Sequence, residues 1–225
     1  MSVPASEATT KTGTSKRTDN RANVLGVGVA ITSMTQVLGQ IDQICRSLPA
    51  GRLVAPKKPF LVVTVNPEFI VQAQSDPVFK KILNRADLAL PDGVGLRLAG
   101  INTIAPGRKL VSALISNSYR IFYLGGRDGV AKKMAEKYGG DYDPGHQDIK
   151  SEIRNPKSET NIKIINKINK FKPDILLVAY GAPAQEKWLW ANRNRIKAKV
   201  VLGIGGAFDY LTGGAKVPPD WISQV

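Results

Sequence analysis

The leading candidate for a chemical role in this sequence is an aspartate that stands between a proline and a glycine. Asp92 follows the predicted strand Ala86–Leu90 and stands between Pro91 and Gly93. A carboxylate at the tip of a strand can act as a general base that takes a proton from a sugar hydroxyl. The same residue type could equally cap a helix that follows. The spacing alone leaves both interpretations open.

Three further polar side chains stand where predicted strands end or predicted helices begin. Thr64 and Asn66 alternate at the end of the apolar run Phe60–Val65, so we expect both to face the same side. Gln185 follows Pro183 at the beginning of a predicted helix. All three can hydrogen-bond a sugar. The alternatives are a capped strand end for the first two and a solvated helix start for Gln185.

Glycine pairs follow two other predicted strands. Gly125-Gly126-Arg127 comes after Arg120–Leu124 and precedes a helix, an arrangement that brings backbone N–H groups and a guanidinium to an anion such as a phosphate. A plain strand-to-helix turn is the alternative. Gly205-Gly206 follows the last predicted strand, and Asp209 beyond it could accept hydrogen bonds from a ribose or a base.

Metal and nicotinamide chemistry receive little support. Asp141-Tyr142-Asp143 matches the carboxylate pair with which many sugar transferases hold a divalent metal, but the pattern is too common to be specific. His146 is the only histidine, so we expect a surface turn residue rather than a metal ligand. Gly26-Val27-Gly28 lacks the third glycine of a dinucleotide fingerprint, because Ile31 stands there. We therefore expect no metal and no cofactor.

Strands and helices alternate along the chain. The predicted strands are Val24–Ile31, Phe60–Val65, Ala86–Leu90, Arg120–Leu124, Asp174–Ala179 and Lys199–Ile204. The predicted helices are Thr35–Leu48, Pro67–Gln74, Pro77–Asn84, Val94–Gly100, Val111–Ser116, Gly129–Tyr138, Glu159–Phe171 (apolar face Ile162, Ile165 and Ile168) and Ala184–Asn192, with Tyr142–Pro156 irregular. This order predicts an α/β fold with a mostly parallel sheet and helices on both faces, as in a Rossmann fold. Ligands bind beyond the carboxyl ends of such strands, so the candidate residues should gather at one edge.

Composition limits the possible classes of protein. The 225 residues are 43% hydrophobic, and no apolar run reaches the roughly 18 residues that cross a membrane. One cysteine, Cys45, allows no disulfide within the chain, which favours a cytoplasmic protein. The net charge of +14 favours an anionic partner, either a diphosphate, a lipid head group or nucleic acid. Met1 to Ala22, rich in Ser, Thr, Ala and Lys, is expected to be a disordered basic tail.

Several segments together resemble the WecG/TagA/CpsF glycosyltransferase family. They are Thr64-Val65-Asn66-Pro67-Glu68, Leu90-Pro91-Asp92-Gly93-Val94-Gly95, Phe122-Tyr123-Leu124-Gly125-Gly126, Lys172-Pro173-Asp174, Gly181-Ala182-Pro183-Ala184-Gln185-Glu186-Lys187-Trp188 and Gly203-Ile204-Gly205-Gly206-Ala207-Phe208-Asp209. Each is weak alone, but their order and spacing are specific, and the resemblance extends from about Val24 to Trp221. It implies one glycosyltransferase domain over residues 23–225.

The resemblance implies an inverting, metal-independent enzyme of bacterial cell-surface polymer synthesis. Such an enzyme moves N-acetylmannosamine, or a related hexosamine or uronic acid, from UDP to a polyprenyl-diphosphate-linked N-acetylglucosamine at the inner face of the cell membrane. By matching motifs, Asp92 would be the general base and Thr64 a second catalytic residue. The implied substrate-binding residues are Asn66, Gly93, Gly125, Gly126, Arg127, Gln185, Gly206 and Asp209. The family is also compatible with a homo-oligomer.

Two features depart from the family pattern. Members continue well beyond the position of Trp221, in an arginine-rich segment expected to dock on the membrane, whereas this sequence stops at Val225. Pro106-Gly107-Arg108-Lys109 replaces the usual Thr-Gly-Ser/Thr-Asp-like stretch, which leaves the choice of substrate open. The rival interpretations are a non-catalytic nucleotide- or anion-binding module and, from charge alone, a nucleic-acid-binding protein. We expect no nucleic-acid partner, because basic residues are not interleaved with aromatic ones.

Overall fold

A computed structural model describes residues 20–46, 58–146 and 148–214. Its strands are β1 (Arg21–Val24), β2 (Val27–Ala30), β3 (Phe60–Val65), β4 (Leu88–Pro91), β5 (Ile121–Gly125), β6 (Asp141–Asp143), β7 (Ile175–Ala179) and β8 (Val200–Gly203). Its α-helices are α1 (Met34–Arg46), α2 (Pro67–Ser75), α3 (Pro77–Arg85), α4 (Gly107–Ile115), α5 (Val130–Tyr138), α6 (Ile149–Arg154), α7 (Glu159–Phe171), α8 (Ala184–Asn192) and α9 (Ala207–Thr212). A 3₁₀ helix, Val94–Ala99, follows β4.

Within these ranges, six strands form one parallel sheet in the order β4-β3-β8-β7-β5-β6. β3 pairs with β4 so that Thr64 lies opposite Leu90, and β5 pairs with β7 so that Gly125 lies opposite Ala179. Because all six strands run in the same direction, their carboxyl ends share one edge. The predicted α/β fold with a parallel sheet is confirmed.

Helices cover both faces of the sheet, as predicted. On β3, Leu61 and Val63 pack into a core with α2, α3, α7, α8 and the β1–β2 hairpin. The intervening residue, Val62, packs into a second core with α1, α4, α5 and α9. Successive side chains of a strand point to opposite faces, so a sheet buried on both sides needs a continuous apolar run. The sequence of β3 supplies that run.

The first predicted strand, Val24–Ile31, is wrong in its details. The chain forms a β-hairpin here, in which β1 and β2 pair antiparallel. Leu25 and Gly26 make the turn, and both have positive φ angles. Glycine readily adopts that backbone conformation, but leucine rarely does. Gly26 therefore indicates a hairpin turn in the sequence, and Leu25 does not.

The segment Tyr142–Pro156, predicted to be irregular, contains two short elements. β6 pairs with β5 at the edge of the sheet, and α6 follows it. The carboxylate of Asp148 caps α6 by accepting a hydrogen bond from the backbone N–H of Ser151. The helix predicted from Val111 also begins earlier, at Gly107. Elements of three to six residues show too little periodicity to be found from sequence.

The apolar face of α7 differs from the prediction. Its buried positions follow the spacing of one helix face: Asn161, Ile164, Ile165 and Ile168. Ile162, predicted to lie on that face, is 38% exposed. Asn161 can occupy the buried position because its amide is paired: Nδ2 donates to Oδ1 of Asn192, and Oδ1 accepts from Nε1 of Trp188.

Two predicted features at the ends of the chain lie mostly outside the described residues. The expected tail, Met1 to Ala22, overlaps them only at residues 20–22, where Arg21 and Ala22 belong to β1. The expectation about the segment beyond Trp221 concerns residues that are not described. In the part of the chain that is described, no helix combines the length and the apolar character that crossing a membrane requires.

Candidate active site

Asp92 lies directly after β4, where its backbone N–H donates to the carbonyl oxygen of Val65 at the end of β3, at 2.8 Å. Its carboxylate lies close to Gly107, the first residue of α4. Burial raises the pKa of Asp92, whereas the nearby backbone N–H of Gly107 and the charge of Arg108 act in the opposite direction. A raised pKa makes a carboxylate a stronger base, which suits the role predicted for it.

The alternative role for Asp92, a cap on the helix that follows it, is wrong. The 3₁₀ helix begins after Gly93, and that terminus has no side-chain cap within the described chain. The carboxylate contacts the beginning of α4 instead. Gly93 has a φ of 96°, a conformation that favours glycine, so its role is to turn the backbone after Asp92. Gly93 therefore supports the position of Asp92 through the backbone.

Thr64 and Asn66 face the same side, as their alternation predicted. Thr64 packs against the start of α4: a Cβ atom added to Gly107 would lie 2.8 Å from Cγ2 of Thr64. Asn66 caps α2, because its Oδ1 accepts a hydrogen bond from the backbone N–H of Phe69 at 2.8 Å. Asn66 therefore caps a helix, and not the strand end that the alternative interpretation named. Its amide nitrogen is the group it can still offer to a ligand.

Gln185 is buried at the beginning of α8, so the alternative of a solvated helix start is wrong. Its Oε1 accepts a hydrogen bond from the backbone N–H of Gly205 at 3.0 Å. Its Nε2 donates to Oε1 of Glu186 at 2.8 Å. These two bonds connect the start of α8 with the turn that follows β8 and hold the amide in one orientation.

These side chains line a cavity of about 350 Å³, which we call the small cavity. Its wall includes five of the predicted residues and one that was not predicted: Thr64, Asn66, Asp92, Arg108, Gln185 and Gly206. They come from the carboxyl ends of strands β3, β4 and β8 and from the starts of α4 and α8. Residues that are distant in sequence thus meet at one edge of the sheet, as the parallel fold predicted.

A second cavity of about 890 Å³, the large cavity, lies beyond the ends of β5 and β7. Its wall includes Gly126, Arg127, Tyr180, Gly206 and Asp209. The chain leaves β5 towards β6 but leaves β7 towards β8, in the opposite direction along the sheet. Such a reversal of strand order opens a crevice in which parallel α/β folds bind ligands.

Gly125 supports the large cavity from behind. It is the last residue of β5 and has a φ of 84°. A Cβ atom at this position would lie 2.8 Å from ring atoms of Tyr180. Glycine is therefore required both by the backbone conformation and by the close approach of a tyrosine that lines the cavity. The prediction that Gly125 contacts a ligand stays a prediction.

The two cavities adjoin at the end of β8, because Gly205 and Gly206 border both of them. The small cavity carries the carboxylate of Asp92. The large cavity carries the glycine turn around Gly126 and the guanidinium of Arg127. A ligand that fills both would place a reacting atom near a base and an anionic group near backbone N–H groups.

Sequence reasoning missed Arg108 as a site residue. The stretch Pro106-Gly107-Arg108-Lys109 stood out only as a departure from the family pattern, because the helix was predicted to begin at Val111. A proline and a glycine directly before the apolar positions of a helix mark its start. That signal would have placed Arg108 in the first turn of α4, although not beside Asp92, because tertiary packing brings α4 to the end of β4.

The carboxylate pair Asp141-Tyr142-Asp143 forms the edge strand β6. Asp141 accepts a hydrogen bond from the backbone N–H of Tyr142, and Asp143 pairs with Nζ of Lys167 at 3.4 Å. Among the described residues, no three His, Cys, Asp or Glu side chains are grouped so that they could hold a metal ion. His146, predicted to be a surface turn residue, is half-buried and borders the large cavity.

A parallel sheet with a half-buried carboxylate in one cavity and a glycine turn in an adjoining one suits an enzyme that takes a group from a nucleotide-linked donor. The profile of the glycosyl transferase WecG/TagA/CpsF family matches residues 22–225. The chain belongs to this family of glycosyltransferases, which confirms the resemblance seen in the sequence.

Relatives with named activities are found in Staphylococcus aureus. The chain is similar to the N-acetylglucosaminyldiphosphoundecaprenol N-acetyl-beta-D-mannosaminyltransferases of strains MRSA252 and NCTC 8325. In both comparisons 24% of 216 aligned residues are identical, and the alignment covers 88% of this chain and 78% of the relative.

Proposed function

We propose that this protein is an inverting glycosyltransferase that moves N-acetylmannosamine, or a related hexosamine or uronic acid, from UDP to a polyprenyl-diphosphate-linked N-acetylglucosamine. The product would serve the synthesis of a cell-surface polymer such as teichoic acid. One observation carries the proposal: the carboxylate of Asp92 borders the small cavity together with Thr64 and Gln185, directly beside a larger cavity that a glycine turn borders. Family membership and the names of the relatives support it.

Asp92 is the general base of this reaction. It takes the proton from a hydroxyl of the acceptor sugar, whose oxygen attacks the anomeric carbon of the donor sugar. UDP leaves from the opposite face in the same step, which inverts the configuration. Thr64 and Gln185 line the small cavity beside Asp92, so their hydroxyl and amide groups are available to orient the reacting sugars.

The large cavity suits the UDP part of the donor. Negative charge grows on the diphosphate as it departs, and preorganised donors stabilise that charge. The backbone N–H groups around Gly126 and the guanidinium of Arg127 border the cavity and can supply such donors. Asp209, on the same wall, can accept hydrogen bonds from the ribose or the base.

The acceptor determines where the protein works in this proposal. A polyprenyl lipid stays in the membrane, so the enzyme acts as a peripheral protein at the inner face of the cell membrane. The net charge of +14 favours contact with an anionic lipid surface. A homo-oligomer is compatible with this function, and nucleic acid has no part in it.

The direct test is to measure UDP release from UDP-N-acetylmannosamine and a panel of related UDP-sugars, with a lipid-linked N-acetylglucosamine acceptor analogue. Asp92→Asn should lower turnover by about 10²–10⁴-fold, because the general base is lost. The matched control is Asp141→Asn, which makes the same chemical change in β6, outside the walls of both cavities. It should leave turnover unchanged.

The outcomes separate the rival functions. Transfer by the wild-type protein that survives in Asp141→Asn and is lost in Asp92→Asn supports the proposal. UDP binding without turnover on any donor would indicate a non-catalytic nucleotide-binding module. Salt-dependent binding of nucleic acid that an oligonucleotide competes for, and UDP does not, would favour a nucleic-acid-binding protein.

A further inference from the structure

Glu186 is a buried carboxyl group for which the proposed mechanism has no task. It is fully shielded from solvent, and burial raises its pKa to about 7. Its Oε2 atom has no hydrogen-bond partner among the described residues. A buried acceptor without a partner costs folding free energy, so its presence requires an explanation other than stability.

The other oxygen of Glu186 points to that explanation. Oε1 of Glu186 accepts from Nε2 of Gln185 at 2.8 Å, while the backbone N–H of Gly205 donates to Oε1 of Gln185 at 3.0 Å. A backbone N–H can only donate, so Gly205 fixes which end of the amide is the oxygen. Glu186 then holds the nitrogen end. The amide nitrogen has a second hydrogen and the amide oxygen a second lone pair, and both can serve a ligand in the small cavity.

Gly203, the last residue of β8, makes room for this pair. A Cβ atom at Gly203 would lie 2.6 Å from Oε1 of Glu186 and 2.8 Å from Nε2 of Gln185, which is too close for either contact. The neighbouring charge does not account for Glu186, because Lys187 forms its salt bridge with Asp76. The carboxyl group and the amide therefore pack as a unit against a position that must remain glycine.

We infer that Glu186 is a positioning residue: it fixes the orientation in which Gln185 presents its amide to the reacting sugar, without touching the substrate itself. This inference rests on the proposed function and deepens it. The positioning survives protonation, because a neutral carboxyl can carry its proton on Oε2 and still accept through Oε1.

Two substitutions of Glu186 separate positioning from packing. Glu186→Gln keeps a carbonyl oxygen that can accept from Gln185, so kcat should stay within about threefold of the wild type. Glu186→Met keeps the length of the side chain but removes the acceptor, so kcat should fall on the order of tenfold. The KM for the UDP-sugar should change little, because the nucleotide lies in the large cavity. The melting temperature of Glu186→Met should change little, because the removal of an unpaired buried oxygen offsets the loss of the acceptor for the amide nitrogen of Gln185.

A double-mutant cycle tests whether Glu186 acts through Gln185. In a Gln185→Ala background, Glu186→Met should have no further effect on kcat. An equal loss of kcat in both backgrounds would overturn the inference, and so would full activity of Glu186→Met. A fall in melting temperature that accompanies the loss of kcat, in both Glu186 variants, would show a structural role instead.

A readout that needs no turnover separates this inference from the proposed function. In ¹⁵N-labelled protein, the side-chain amide signals of Gln185 are identified by their absence in Gln185→Ala. They should shift in Glu186→Met and stay near their wild-type positions in Glu186→Gln. Unchanged signals in Glu186→Met would overturn the inference even if the protein transfers sugar. Shifted signals would support it even if no donor in the panel is used.

Discussion

The backbone N–H of Gly107, at the start of α4, lies beside the carboxylate of Asp92 at the end of β4 and lowers its pKa. A helix N-terminus carries partial positive charge, so this contact stabilises the ionised form of the base. The approach is also close: a Cβ atom on Gly107 would lie 3.1 Å from Oδ2 of Asp92 and 2.8 Å from Cγ2 of Thr64. The geometry of the base therefore depends on a glycine in a neighbouring helix.

Gly107→Ala should lower kcat/KM by on the order of tenfold, because the new methyl group pushes the start of α4 away from Asp92 and Thr64. The control is Gly39→Ala in α1, where the described residues leave nothing within 4 Å of the added Cβ. That exposed helical glycine should gain about 0.5–1 kcal/mol of unfolding free energy as alanine, with unchanged activity. Steady-state kinetics measure the activity of the two variants, and chemical denaturation measures their unfolding free energy. Full activity of Gly107→Ala would remove the close contact from the mechanism.

The charge of Arg108 should control the pH at which Asp92 becomes an effective base. Burial raises the pKa of Asp92, and the positive charge of Arg108 lowers it. The base works only when ionised, so the rate increases as the pH rises through that pKa. Arg108→Gln removes the charge, so the acid limb of the kcat/KM profile should move to higher pH.

A matched control for this prediction is available next to Arg108. Lys109→Gln removes a positive charge from an exposed position in the same turn of α4. Its acid limb should stay close to that of the wild type, because an exposed charge is screened by solvent. Equal shifts in the two variants would mean that net charge, and not the position of Arg108 in the small cavity, sets the profile.

The sequence predicts the fold well where the elements bury both faces. The prediction for β3 has the same bounds as the observed strand, because a run such as Phe60–Val65 is apolar at every position but one. Prediction from sequence fails where tertiary contacts determine the local structure. The hairpin turn at Leu25 has an unfavourable backbone conformation, and α6 is too short to show periodicity.

The candidate site also contains residues that the sequence could place and residues that it could not. Asp92, Gln185 and Asp209 could be placed at one edge because a parallel sheet brings its carboxyl ends together, whatever the details of packing. Arg108 and Glu186 could not be assigned a role in this way. Their surroundings depend on how the starts of α4 and α8 pack against strands that are distant in sequence, and no local pattern encodes that.

Asn161 should matter for stability and not for chemistry. It is buried in α7, where its amide pairs with Oδ1 of Asn192 and with Nε1 of Trp188. Asn161→Ala leaves the indole N–H of a buried tryptophan without its acceptor, so the unfolding free energy should fall by about 1–3 kcal/mol. Chemical denaturation measures this change.

The control for Asn161 is Asn117→Ala, at an exposed position after α4, where the side chain donates only to a backbone carbonyl of Ala113 among the described residues. Its unfolding free energy should change by less than about 0.5 kcal/mol. Transfer activity of both variants should match the wild type well below the melting temperature. A selective loss of kcat in Asn161→Ala, with stability intact, would contradict the structural role.

Arg127 should contribute to donor binding through its position beside the large cavity. Its guanidinium is exposed next to the glycine turn, where it can reach a diphosphate. Arg127→Ala should weaken UDP binding about tenfold, the equivalent of one charge-assisted hydrogen bond. Isothermal titration calorimetry with UDP measures the change directly, without an acceptor.

The control for Arg127 is Lys133→Ala, which removes the same charge from an exposed position on α5, outside the cavity wall. A cation that contacts the anion keeps most of its effect when salt is added, whereas the effect of a cation at a distance is screened over about 10 Å at 0.1 M. The difference in UDP affinity between the two variants should therefore persist when the salt concentration is raised. If the difference disappears in salt, Arg127 acts on UDP only through the general field of a basic protein, and its proposed contact with the diphosphate is wrong.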